Sequence, residues 1–523
     1  MTVRGPVRRS TSTRARAYWR VPPRLRNLAV WRTVAEWCAA AFAIGLVAIR
    51  RWNQMGPDAP GIDQGHWLAF GHAYLGRGNP SLSHLYPITV MPPLVPLAMS
   101  TLTDILNPDL ASRWLAVLSI VAVMAAGFGV VRRTAGPWAA IVLGIVLGAS
   151  ATVIEPSAWG GYPQNFALAG MIVVVFSGSD YLHTRSRTTL AVYLVSLLAV
   201  SLTHHAYFGV TAAAMIALVL LWLTSRPGWR HAGKTLIALV AGSLPALVVF
   251  AVVAGSLWSA RYDPAVDASG SSLRGALAYG FPTTRAIWAL LGVVGLAGLG
   301  LSFRMRSRPV ERRTALALVA VSAVTFPLTG EARLLPPLVV GLMIGISLMV
   351  DVFSDHGARL LATGLAIGAL LVALGILWPP SDRKADIAFS YYAVLNRSTV
   401  QTARFLDAAP GYGAAAVRTD ARGWPVGWWL RGLTQRPLLV GSDAKWLGFP
   451  SERAEASTVQ HLFDGELTAD AAAALARASG VRFLVFNERD WLSWKGWDVN
   501  GSGPWIRVYD DGEHIVLAIN GGS

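Results

Sequence analysis

Residues 87–106 read PITVMPPLVPLAMSTLTDIL, and whether this stretch crosses a membrane decides the topology of everything after it. If it crosses, Arg132 and Arg133 fall outside, with most later basic loops. If it lies in or on the outer interface, every basic cluster moves inside: Arg132/Arg133, Arg185/Arg187, Arg226/Arg230/Lys234, Arg304/Arg306/Arg308/Arg312/Arg313 and Arg359. The intervening outer turns at 155–162 and 204–206 then hold no Lys or Arg. Cytoplasmic loops of membrane proteins carry the excess of Lys and Arg, so the interfacial placement is favoured. The proline pair in Met91-Pro92-Pro93-Leu94 also suits a helix that starts at the interface better than one crossing straight.

That reading presupposes a membrane protein, and composition supports one. Of 523 residues, 54% are hydrophobic and only 14% charged, with a mean hydropathy of +0.46. Soluble chains carry about 25% charged residues, so the supply is too small to cover a water-facing surface of this size. The formal charge of +16 comes mostly from Arg in short clusters between apolar runs, which points to a multispanning protein and not to nucleic acid. One cysteine, Cys38, excludes an intramolecular disulfide framework and a cysteine metal cluster.

Working outward, residues 1–32 carry nine arginines and no acid, a basic cytoplasmic arm against an anionic leaflet. A first span at 33–50 follows, without a convincing signal-peptide cleavage site. Further apolar runs long enough to cross lie near 114–131, 137–154, 163–180, 189–204, 207–224, 235–257, 286–303, 314–329, 335–352 and 359–378. The expected architecture is thus a polytopic α-helical membrane protein of about eleven transmembrane helices over 33–378, with a long first outer loop at 51–113. Within that loop, Trp67, Phe70, Tyr74 and Leu75 are spaced for a helix lying at the interface, or for an ordinary loop helix packed on the bundle. From 379 to 523 the composition turns soluble. Apolar strands at 414–418, 437–441, 482–487, 505–509 and 514–519 alternate with helical stretches near 396–408, 453–463 and 468–478, which predicts an extracytoplasmic α/β domain. Eight tryptophans lie in this tail; they either stack on sugars or fill its core.

Polar residues gather in the outer turns. In Gly61-Ile-Asp63-Gln-Gly-His66-Trp67, Asp63 and His66 share a helix face. The pair reads as a general base with an orienting or phosphate-binding partner, or Asp63 serves as a helix N-cap. The turn from Glu155 to Asn165 brings a second carboxylate, the Gly160-Gly161 pair, Trp159 and Tyr162 to the same side. The next outer turn holds His204-His205, one of which faces a cavity in this reading. Arg333 stands between two apolar runs, where a cation is costly and functional, or pairs with Glu331. Walker A, GxGxxG, HExxH and GxSxG motifs are absent, which removes support for ATP-driven, dinucleotide, zinc-protease and lipase chemistry. Few acids fall in mid-span, which weakens an ion-coupled transporter.

The basic arm, single span, long first outer loop with its acid, the turn Gly76-Arg-Gly78-Asn and the segment Tyr86-Pro-Ile-Thr-Val-Met-Pro-Pro-Leu94 resemble the glycosyltransferases of the GT-C superfamily. These are integral membrane enzymes that include protein mannosyltransferases, oligosaccharyltransferase catalytic subunits and actinobacterial cell-envelope transferases. The resemblance covers about 33–378, mainly as topology. It implies juxtamembrane helices in the first outer loop and a polyprenyl-phosphate sugar donor. It also implies a glycan, glycolipid or protein acceptor. Asp63 matches the first-loop acid and would be the general base, and Glu155 the second outer acid. His204 or His205, with Arg333, would contact the donor phosphate, with His66 and Tyr162 as further substrate contacts. Members carry an acidic pair where this chain has Asp63-Gln64, so a divalent metal cofactor is left open.

The implied activity is sugar transfer on the outer face of a bacterial cytoplasmic membrane, with the N-terminus inside and the tail outside. The alternatives are a flippase for a lipid-linked glycan and a catalytically silent envelope-assembly partner. Alanine, arginine and tryptophan usage hints at an actinobacterium.

Overall fold

The computed structural model describes residues 23–225, 229–263, 285–305, 308–329, 335–353, 368, 375 and 378–520, apart from 464, 488–496, 498 and 500–502. Helix α1 (Pro23–Asn53) leads into the segment expected to be the first outer loop, which holds strand β1 (Ala59–Pro60), α2 (Asp63–Tyr74) and α3 (Leu94–Ile105). The bundle continues with α4 (Pro108–Gly148), α5 (Ala151–Trp159), α6 (Tyr162–Thr184), α7 (Arg187–Thr203), α8 (His205–Leu223) and α9 (Trp229–Ser259). It closes with α10 (Arg285–Met305), α11 (Pro309–Thr329) and α12 (Leu335–Phe353).

Among the described residues, five helices are long and apolar enough to cross a membrane: Thr33–Asn53, Pro108–Arg133, Tyr162–Thr184, His205–Leu223 and His231–Ser259. A sixth span arises if Gly136–Gly148 and Ala151–Trp159, bent by 50° at their junction, count as one. The apolar parts of α7, α10 and α12 are shorter than the other spans, and the run expected at 359–378 lies almost wholly outside the described residues. Helix α4 is two helices joined at Gly136, whose φ of 79° only glycine adopts readily, with Pro137 opening the second.

Stretch 87–106 does not form a continuous helix. A single 3₁₀ turn at Ile88–Val90 is followed by the proline pair and then α3, only 12 residues long. At 1.5 Å per residue α3 is ~18 Å, too short for ~30 Å of hydrocarbon. Polar contacts tie the basic clusters to one end of the bundle. Arg132 pairs with Glu36 of α1 at 2.7 Å and Arg133 with Asp180 of α6 at 3.4 Å. Ser179 Oγ donates to the Val310 carbonyl at 2.9 Å, Arg308 pairs with Asp351 at 3.1 Å, and Arg185 meets His231 at 3.2 Å.

At the opposite end, residues 378–391 form a helix bound to the end of α1 by Arg51–Asp382 (2.8 Å) and Arg50–Asp382 (3.1 Å). Strand β2 (Ala393–Leu395) follows and pairs antiparallel with β1 of the first outer loop. Beyond it lie α13 (Arg397–Ala408), β3 (Ala414–Val417), α14 (Gly427–Leu433), β4 (Leu438–Val440), α15 (Pro450–Leu462), α16 (Ala469–Ala478), β5 (Val481–Asn487), β6 (Trp505–Asp510) and β7 (His514–Ile519). The sheet order is β4-β3-β5-β7-β6, with β3 parallel to β4 and β5, and β7 antiparallel to β5 and β6. Side-chain alternation builds a core on each face. Ala416, Leu484, Phe486 and Leu517 pack under α15 and α16, while Ala415, Phe483, Val485 and Val516 pack under α13 and α14. Trp424, Trp428, Trp429 and Trp505 are all buried; these four tryptophans fill the core.

Helix α2 is buried from Gln64 to Gly71 except at Trp67, so it is a loop helix packed on protein and not one lying on lipid. A Cβ at Gly65 would meet the backbone of Trp429 at 2.4 Å, and one at Gly71 would meet the Pro96 carbonyl at 2.1 Å. Only glycines let α2 sit between α14 and α3 at this spacing.

Candidate active site

Asp63 opens α2, with Ile62 in the N-cap position and no side-chain cap bond there. The N-cap reading is therefore displaced by one residue: Asp63 lies in the first helical turn, where the positive end of the helix dipole still favours its charge. It is less buried than its neighbours Ile62, Gln64 and Gly65. Gly160, with φ of 109°, ends α5 against it, and a Cβ there would sit 2.9 Å from Asp63 Cβ. The start of α2 and the end of α5 are locked together by Ile62 N donating to the Trp159 carbonyl (3.0 Å) and Trp67 Nε1 donating to the Gly160 carbonyl (2.7 Å).

Tyr162 begins α6 immediately beyond and is fully buried. Its hydroxyl accepts from Gln64 Nε2 and donates to the Ser112 carbonyl at 2.9 Å. Glu155, one turn before the end of α5, forms an ion pair with Lys384 at 2.6 Å and accepts from the Tyr392 hydroxyl at 3.4 Å. Burial, then the Glu155 charge and that of Asp63, raise the Tyr392 phenol well above its ordinary value, so it stays a donor. Asp63 and Glu155 thus both act on Tyr392, whose backbone carbonyl accepts from Gly61 N at 2.8 Å, while Tyr162 feels the Asp63 charge. Lys384 and Tyr392 were missed. The available signal was position, since Lys384 is among the first cations after the last apolar run.

His66 turns away into protein. Its ring packs 4.5 Å from Trp428 and 4.9 Å from Phe70, and its Nε2 lies 3.1 Å from the Tyr86 hydroxyl. Burial, with Arg431 adding, pushes His66 down to about 3, so the imidazole is neutral. Tyr86 donates to Glu452 at 3.2 Å, and burial pushes Glu452 up to about 7. Arg431, buried, pairs with Glu455 beside them. His66 therefore belongs to a polar core joining α2 to α14 and α15. His204 caps α8, 3.5 Å from Tyr207 N, with its ring stacked on His205 at 5.4 Å. That junction lies just before Val210, which packs against Phe326 and Leu335. Arg333 lies outside the described residues. Among the described residues, no group of three or more His, Cys, Asp or Glu could hold a metal ion.

Solved structures share this fold over most of the chain. ArnT from Cupriavidus metallidurans bound to undecaprenyl phosphate matches with a TM-score of 0.55 at 12% identity, over 91% of this chain and 97% of that one. Its apo state matches at 0.53 and 12%, over 93% and 98%. The oligosaccharyltransferase from Archaeoglobus fulgidus in the apo form matches at 0.53 and 12%, over 87% of this chain and 71% of that one. The chain has the GT-C fold. No protein-family model and no curated protein matches the sequence. At such identity the likeness is one of fold, and chemistry has to be argued from the residues. In this GT-C fold the chain places two carboxylates, two phenols and a lysine where the first outer loop meets the end of α5.

Proposed function

We propose that the chain is a glycosyltransferase that moves a sugar from a polyprenyl-phosphate donor to an envelope glycan, glycolipid or protein acceptor. The site would open to the outer face of a cytoplasmic membrane, with residues 1–32 inside and 379–523 outside. The observation that carries the reading is the convergence of Asp63 and Glu155 on Tyr392 within a GT-C fold. The undecaprenyl phosphate bound by ArnT supports the donor class.

In the reaction, an acceptor hydroxyl oxygen bonds to the anomeric carbon as Asp63 takes its proton. The bond from that carbon to the phosphate oxygen breaks, and its electron pair leaves with the polyprenyl phosphate. Asp63 suits the base because it is the more open of the two acids. Glu155, tied to Lys384 and Tyr392, fixes the cavity wall and holds a cation where charge grows on the leaving phosphate. Inversion at the anomeric carbon follows from direct displacement. His204, His205 and Arg333 stand as further contacts for the phosphate.

The test is transfer from a panel of radiolabelled polyprenyl-phosphate sugars in membranes, comparing wild type with Asp63→Asn at matched expression. Loss of transfer in the variant with donor binding retained supports the assignment. Transfer that survives Asp63→Asn removes Asp63 as the base and turns attention to Glu155.

A further inference from the structure

The helix at 378–391 ends at Tyr391, next in sequence to the Tyr392 that reaches Glu155. Tyr391 is 49% exposed. Trp424, in the loop after β3, stands beside both: it stacks on Tyr392 at 5.3 Å and 14°, and meets Tyr391 edge-on at 4.8 Å and 88°. Arg422 lies over the Trp424 ring, 3.7 Å from its centroid. Its Nε donates to Asp420 at 2.6 Å and its Nη1 to the Tyr391 carbonyl at 2.5 Å. Asp420 is itself fixed by the backbone N–H groups of Arg422 and Trp424, both at 2.9 Å.

We propose that Tyr391, Arg422 and Asp420 form the acceptor-sugar subsite of the Asp63 site, an inference that rests on the transferase reading. Three observations lead there. First, covering Trp424 requires only an apolar side chain, yet the cover is a guanidinium held at three points and still 35% exposed. A preorganised guanidinium beside a carboxylate presents donors and acceptors at fixed spacing, the pattern that reads adjacent sugar hydroxyls. Second, the half-exposed Tyr391 ring offers an apolar face for the C–H side of a sugar, with its hydroxyl able to remain wet. Third, the Tyr391 ring is packed 5.0 Å from that of Tyr392, whose hydroxyl reaches Glu155. A sugar on Tyr391 is therefore one aromatic ring away from the acid cluster. The three residues come from the tail and not from the apolar helices, which leaves the lipid side of the site to the prenyl chain.

The experiment uses the full-length protein in lipid nanodiscs and saturation-transfer NMR with short oligosaccharides of mannose, glucose, galactose and arabinose. At least one should take up saturation in wild type. Tyr391→Ala and Arg422→Gln should each weaken the signal roughly fivefold, while Tyr391→Phe, which keeps the ring, restores it. An unchanged signal in Tyr391→Ala, or no uptake by any of the sugars at millimolar concentration, overturns the subsite. Failure of the transferase reading shows separately, as transfer that survives Asp63→Asn in membranes.

Discussion

Gly65→Ala tests how the candidate base is held in place. The added Cβ would lie 2.4 Å from Trp429 N, 2.5 Å from Trp429 Cα and 2.6 Å from the Trp428 carbonyl carbon. All three are backbone atoms of α14, so no side-chain rotation relieves them. Ordinary contact begins at 3.4 Å, so α2 and α14 must separate by about 1 Å, a shift that in an active site costs on the order of 100-fold in rate. The seam also carries the hydrogen bond from Trp429 Nε1 to the Gly61 carbonyl at 2.7 Å, which the same shift would stretch out of range. Overpacking costs roughly 1–3 kcal/mol and the lost bond about 1 kcal/mol more. The expected result is a protein destabilised by about 2–4 kcal/mol, with transfer reduced far more than the folded fraction explains, because α2 carries Asp63. Thermal unfolding in detergent and transfer in membranes measure the two effects. Gly56→Ala is the control, since nothing lies within 4 Å of its Cβ. Unchanged melting and transfer in Gly65→Ala would refute the close packing of α2 on α14.

Further outcomes follow from the same geometry. Glu452 titrates near 7 in the folded protein against 4.5 in its absence, so the fold binds its proton more tightly and burial of the charged form costs stability as pH rises through that window. Glu452→Gln should therefore match wild type in melting temperature near pH 4 and exceed it at pH 8, by up to about 3 kcal/mol; equal melting at both pH values would exclude a buried, protonated Glu452. Lys384→Gln leaves Glu155 without its ion pair and should cost about 1–2 kcal/mol, most of it recovered in stability but not in transfer by adding Glu155→Gln. With Cys38 replaced by Ala, Ser83→Cys, on an exposed position of the first outer loop, should react with an impermeant maleimide from outside intact cells. Labelling only after lysis would invert the topology.

The parts of this molecule readable in the sequence are those whose cause is local. The basic clusters are expected on one side of the bundle, and Arg132, Arg133, Arg185 and Arg308 do meet at one end of it. Strand alternation located β3 to β7 to within two residues at either end, because side chains on a two-sided sheet repeat every second position. The proline pair stopped 87–106 from forming one helix, as its chemistry requires. What could not be read is whatever depends on partners hundreds of positions away. Nothing near His66 announces that it faces Trp428 and Tyr86, nor that Glu155 is answered by Lys384. The same holds for the tail. Composition changes near 379, but the contacts do not respect that point: β1 pairs with β2, Trp429 holds Gly61, and Tyr86 bonds Glu452. The first outer loop and the tail are thus built on one another, and the position of Asp63 depends on residues on both sides of the change in composition. A variant lacking the tail would lose the support of α2 along with any acceptor contact, so deletion cannot separate a binding role for the tail from a positioning one. Point changes at Tyr391 and at Gly65 can, since one removes an exposed ring and the other moves a buried helix.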